Sequence, residues 1–129
     1  MLTLKEPELQ KLLLETIDKI GGDTKYLPKI NDSNDFAMPF IEIGRYGYEY
    51  VTRARGVEIL RKLPIDTEEL LYLVFCDVTF SMIFGSTFGK RSFAAIHTKE
   101  VAEEKVVELL NPVKLGFGER LAKDWGIRR

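Results

Sequence analysis

Cys76 and His97 are each the only residue of their type, so a thiolate–imidazole pair is the sharpest catalytic chemistry the sequence offers. Its setting argues against it. Cys76 lies in a run with Leu73, Phe75 and Phe80, where a cysteine behaves as a small apolar residue, whereas reactive thiols need exposed, electropositive surroundings. One Cys and one His cannot close a zinc site, and Asn31-Asp32-Ser33-Asn34-Asp35 lacks the glycine and ligand order of a calcium loop. Glu68/Glu69 and Glu103/Glu104 are adjacent in predicted helices and point to different azimuths, so neither makes an acid–base couple. Gly85 to Ser92 is glycine-rich and basic, but three residues rather than four separate Gly85 from Gly89, and Arg91 intervenes between Lys90 and Ser92. The preceding segment also reads as a helix where a phosphate-binding loop needs a strand. The sequence therefore predicts a non-enzymatic protein with no metal and no cofactor.

Recognition chemistry is better represented. Tyr46, Tyr48 and Tyr50 share one strand face if strict alternation holds, with Arg45, Arg53 and Arg55 on the other. Tyr and Arg are the residue types that dominate binding hot spots, and rings on a sheet can also stack single-stranded nucleic acid. A tyrosine stripe can equally face the core. Asp77 interrupts an apolar helix, so it is paired with a base such as an arginine, turned to an exposed seam, or part of a binding face. The candidate partner-binding residues are thus Tyr46, Tyr48, Tyr50, Arg53, Arg55 and Asp77.

The elements that must carry these residues follow from periodicity and punctuation. Leu9, Leu12, Leu13, Ile17 and Ile20 recur at helical spacing behind Pro7, and Gly21-Gly22 stops the run, giving a helix over about 5–20. Asp23 to Ala37 is polar and turn-rich, an irregular connection long enough to suggest a functional loop. Met38 to Ile43 and Tyr48 to Arg53 read as a hairpin around Gly44-Arg45-Tyr46-Gly47. Val57, Ile59, Leu60 and Leu63 fit a third strand, the favoured reading, or a short helix. Asp66-Thr67-Glu68-Glu69 is a helix start, and Leu70 to Phe84 is apolar nearly all round, which predicts a central helix enclosed on several sides. Thr98 opens another helix lined by Val101, Ala102, Lys105, Val106, Leu109 and Leu110, and a short one over about 118–125 tucks in Leu121 and Trp125. The predicted fold class is α+β: a small antiparallel sheet, made of the hairpin plus a third strand, packed against a central apolar helix and flanking helices.

The composition fits this reading. A chain of 129 residues suits one domain with one core, since domains commonly run to about 100–150 residues. Nineteen basic against twenty acidic side chains give a formal charge of −1, which disfavours a nucleic-acid partner and leaves electrostatic recognition local. A single cysteine excludes a disulfide framework and suggests a reducing, cytoplasmic setting. The first residues lack a signal-peptide pattern, and Leu70 to Phe84 is too short and too interrupted to span a bilayer, so no membrane association is expected.

Tyr48-Glu49-Tyr50-Val51, then Arg55-Gly56, then the run from Ile65-Asp66-Thr67 through Leu71-Tyr72 to Asp77-Val78-Thr79 resembles the immunity protein 63 family of bacterial polymorphic-toxin immunity proteins. The resemblance spans residues 48–79. It carries over onto Tyr50, Arg55, Gly56, Asp66, Leu71, Tyr72, Asp77 and Thr79, mostly positions that would shape the fold. It implies a cytoplasmic protein without catalytic activity that binds and neutralises a cognate toxin protein.

Overall fold

A computed structural model describes residues 3–33, 37–85 and 91–127. Four helices, α1 (Glu6–Lys19), α2 (Thr67–Phe84), α3 (Lys99–Leu110) and α4 (Phe117–Asp124), accompany three strands, β1 (Phe40–Gly44), β2 (Gly47–Ala54) and β3 (Val57–Lys62). The strands form one antiparallel sheet in the order β1-β2-β3, and the fold is α+β as the sequence predicts. The residues group into two compact units. One holds the chain up to Glu15 together with Leu27–Val74, the other Thr16–Tyr26 with the chain from Phe75 onward, so the divisions fall within α1 and α2.

In the first unit the sheet is built from two tight hairpins. Gly44 pairs with Gly47 across the turn Arg45-Tyr46, and Gly47 takes φ 145°, which suits a residue without Cβ. The second turn puts both central residues in the left-handed region, Arg55 at φ 53° and Gly56 at 75°. That is the type I′ geometry whose twist matches the flanking strands. Tyr48 and Tyr50, opposite Ile43 and Ile41, are buried with Phe40, Ile41 and Val51.

The polar connection before β1 has a structural task. Lys29 to Asn31 lies along β1 in parallel, with the Asn31 N–H donating to the Ile41 carbonyl (2.7 Å) and the Ile41 N–H to the Lys29 carbonyl (2.8 Å). The Asn31 side-chain oxygen then accepts from the Ile43 N–H (2.8 Å). One sheet edge is therefore covered. Asn34 and Asp35 lie outside the described residues.

Helix α2 starts where its acidic tetrad predicts: Asp66 Oδ1 accepts from the Glu69 N–H at 2.8 Å. Its next neighbour, Thr67, is joined to the sheet. Thr67 Oγ1 lies 2.7 Å from the hydroxyl of Tyr48, which also accepts the Leu4 N–H at 2.7 Å. A tyrosine hydroxyl can accept one bond while donating another, so Tyr48 links the chain's early residues, β2 and the start of α2.

In the second unit α1 ends in a Schellman motif. Gly21 turns left-handed at φ 67°, its N–H donates to the Asp18 carbonyl, and the Gly22 N–H donates to that of Ile17. Later in α2, Thr79 is buried and returns its hydroxyl to the Phe75 carbonyl at 2.6 Å, so the apolar helix carries this polar group at low cost. Ala102, Val106, Val107 and Leu110 form the buried stripe of α3; Val101, expected on that stripe, sits at its flank and is exposed. Helices α3 and α4 approach closely at Gly118. A Cβ there would meet the Asn111 side chain and come within 2.7 Å of the Val107 carbonyl oxygen. Leu121 is buried, whereas Trp125 keeps 38% of its surface and meets the Phe80 ring edge-on at 5.8 Å.

Tyr48→Phe keeps the ring and deletes the hydroxyl, leaving the Leu4 N–H and the Thr67 hydroxyl without that partner. It is expected to lower unfolding free energy by about 1–2 kcal/mol in urea titrations; a loss below about 0.5 kcal/mol, the range of ordinary surface changes, would contradict the linking role.

Candidate partner-binding surface

The tyrosine stripe separates into two environments. Tyr48 and Tyr50 are 2% and 5% exposed, whereas Tyr46, in the turn rather than on the strand, is 88% exposed. Tyr48 and Tyr50 lie on β2, the middle strand, and belong to the buried set of the first unit, which also includes Leu9, Leu13 and Leu70. A stacking platform of three accessible rings is thus not presented. The Arg45 guanidinium lies 5.7 Å from the centre of the Tyr46 ring, a cation–π contact at the tip of the hairpin.

Arg53 and Arg55 belong to the opposite end of β2 from Tyr46, separated by roughly 25 Å for an eight-residue strand. Arg55 is exposed at the second turn, and Arg53 reaches toward the Gly56 carbonyl at 3.4 Å. Asp77 is on the exposed side of α2, in the second unit. The five candidates of the first unit therefore do not converge on one point. His97 stacks on Phe93 with ring centres 3.8 Å apart, and its Nδ1 bonds the Phe93 carbonyl at 2.8 Å, so a local contact accounts for its orientation. Cys76 is half-buried in α2. Among the described residues no three His, Cys, Asp or Glu side chains are grouped to hold a metal ion. Residues 86–90 of the glycine-rich stretch fall outside the described set.

A different surface emerges between β3 and α2. Leu63 and Ile65 are 66% and 75% exposed on either side of buried Pro64. With the turn residues Gly44 to Glu49 they line a cavity of about 480 Å³, and with Lys62, Glu69 and Leu73 a second of about 370 Å³. An aliphatic ridge beside a Tyr/Arg turn is the residue chemistry of a protein-binding patch: apolar anchors next to groups that hydrogen-bond and stack. Sequence reading treated Leu63 as the continuation of a strand. The signal that could have revealed the ridge is Leu63-Pro64-Ile65 itself, because proline cannot donate to a sheet ladder and so ends the strand before two large apolar residues.

The outer sheet face carries a charge cluster that single residues did not suggest. Glu42 and Glu49 stand directly opposite each other in the β1–β2 register, an arrangement that is unfavourable for like charges. Arg61 offsets it: Nη1 lies 3.4 Å from Glu42 and 3.1 Å from Glu49, while Nη2 lies 2.7 Å from Glu58. The hydrogen bond from Arg61 holds the Glu58 carboxyl below its ordinary value, helped by the charges of Arg61 and Arg53 and opposed by desolvation. The Arg61 guanidinium is held more firmly protonated than usual, chiefly by its bond to Glu58, with Glu42 and Glu49 contributing.

Together the three-stranded antiparallel sheet and the four helices define an α+β protein in which Arg45, Tyr46, Leu63 and Ile65 line one cavity at the first hairpin turn. The chain belongs to the immunity protein 63 family, whose model matches residues 44–125, more than half of its length. That span begins at the exposed turn and takes in β2, β3, the Leu63–Ile65 ridge, α2, α3 and α4. No curated protein and no solved structure matches the chain. Among the described residues no helix is long and apolar enough to cross a membrane.

Because the folded state lowers the Glu58 value, the Glu58–Arg61 pair stabilises the protein above the ordinary glutamate range and loses that contribution as pH falls through and below about 4.5. NMR titration should find the Glu58 carboxyl titrating below the ordinary glutamate value, and Arg61→Gln should return it upward. An unchanged titration in that variant would contradict the pairing.

Proposed function

We propose that this protein binds a cognate toxin protein and neutralises it by occupying the toxin's working surface, without catalysis of its own. The observation that carries the reading is membership of the immunity protein 63 family across residues 44–125. The setting would be the cytoplasm of a bacterium that carries a polymorphic toxin system. A specific complex typically buries about 800 Å² on each partner, which is more than one turn can supply, so the contact would extend beyond Arg45 and Tyr46.

The accessible members of the candidate set, Tyr46, Arg53, Arg55 and Asp77, are proposed contacts, and Tyr46 is the first among them because Leu63 and Ile65 flank the same cavity. Tyr48 and Tyr50 would act by supporting the turn. A large exposed aromatic with aliphatic neighbours supplies contact area at small entropic cost. The nucleic-acid alternative has no observation in its favour, since two of its three rings are enclosed and the net charge is −1.

Co-expression with the protein encoded in the adjacent reading frame should restore growth and yield a complex that co-purifies. In that complex Tyr46→Ala and Ile65→Ala should each weaken affinity about tenfold or more, equivalent to at least ~1.4 kcal/mol. A neighbour that remains toxic, or that binds no better than unrelated proteins, would overturn the reading.

A further inference from the structure

The covered and bare edges of the sheet differ sharply. Lys29 to Asn31 closes the β1 side, whereas all six residues of β3 are exposed, including Val57, Ile59 and Leu60. An open edge that displays large apolar side chains is a template for pairing with another strand. What decides the occupant is the order of charges along β3: Glu58 near its beginning, Arg61 and Lys62 at its end. A strand with an acid at one end and bases at the other is complementary to itself when the second strand runs antiparallel.

Register narrows this further. Val51 pairs with Arg61 and Arg53 with Glu58, and Val51 and Arg53, two residues apart, look to the same face of β2. The irregularity between Thr52 and Arg53 thus brings Glu58 and Arg61 onto one face although three residues separate them, as their 2.7 Å contact also requires. If a second copy of β3 is laid alongside with the twofold axis between Ile59 and Leu60, Glu58 falls opposite Arg61 of the second copy. Val57 then falls opposite Lys62, and in both pairs the side chains share a face. A bulge ordinarily blunts an edge. Here each strand carries the same extra residue between the paired positions, so two residues meet two and the ladder stays in step.

We infer that β3 is a self-pairing edge: two copies of this chain join antiparallel through Val57–Lys62, forming a continuous six-stranded sheet with Ile59 and Leu60 of both copies at its centre. Arg61, which already holds Glu42, Glu49 and Glu58 of its own sheet, then also faces Glu58 of the second copy. The inference is independent of the toxin reading, because it uses no toxin contact.

Sedimentation velocity on the full chain over a concentration series tests it. The expected result is a reversible doubling of mass with rising concentration, lost in Leu60→Lys, with circular dichroism and unfolding midpoint like those of the parent. Glu58→Lys, a second exposed change that sets like charges opposite each other, should move the monomer–dimer midpoint about tenfold or more upward in concentration at low salt and less at high salt. A chain that stays monomeric throughout, or a dimer that survives both substitutions, would overturn self-pairing. So would a monomer in which Leu60→Lys instead abolishes capture of the toxin, since the edge would then belong to the toxin.

Discussion

The hydroxyl of Tyr48 is the constraint on which the first unit turns. An enclosed phenol must find partners for its oxygen, and this one finds two on different parts of the chain, the Leu4 amide and the Thr67 hydroxyl. Thr67 is the first residue of α2, and Asp66 before it caps that helix. The same tyrosine therefore fixes where the middle strand ends its approach to the helix and where the short link from β3 to α2 must run. That link contains Leu63, Pro64 and Ile65. Two large apolar side chains can remain presented to solvent there because the backbone on both sides is anchored, which is the rigid support that a recognition surface needs.

The sheet itself is asymmetric, and the asymmetry has a physical logic. Three strands present two edges, and unpaired backbone groups on an edge invite other strands. A polar asparagine in left-handed conformation, Asn31 at φ 55°, closes one of them by supplying both a backbone and a side-chain partner to β1. The segment around it, whose length suggests a functional loop, here lies along a strand and turns away, which its polar, turn-rich composition allows. On the outer face, Arg61 balances three carboxylates. Exposed ion pairs contribute little to stability, so this cluster matters more for orienting charges along β3 than for holding the fold.

Local signals were legible wherever the physics is local. The glycine stop of α1, the Asp66 cap, the Arg55-Gly56 turn, the Thr98 cap and the three strands all follow from residues within a few positions of one another. Alternation correctly put Tyr48 and Tyr50 on one face, but alternation has no sign: it says which residues share a face and not which face is enclosed. Tyr46 lies in the turn that Gly44-Arg45-Tyr46-Gly47 predicts, since Gly44 pairs with Gly47, and the three-ring stripe, which required it on the strand, is therefore not formed. Asp77 lies on the exposed seam of α2, one of the readings its isolation allowed. The Glu42–Glu49–Arg61 cluster and the Asn31 edge contacts depend on strand register and on residues far apart in sequence, and no periodicity encodes those. The ridge at Leu63 and Ile65 was hidden for a related reason, since apolar residues after a strand are read as core until the anchoring of Pro64 and Thr67 is known.

Hydrogen–deuterium exchange on the protein alone and with the proposed toxin partner measures the central claim most directly, since the claim is that a partner is received on the surface formed by the β1–β2 turn and the link into α2. Toxin-dependent protection should concentrate in peptides covering residues 44–49 and 63–65, with the amides of the α3 and α4 core unchanged. Protection confined to the second unit, with that turn and link exchanging as in the free protein, would contradict it.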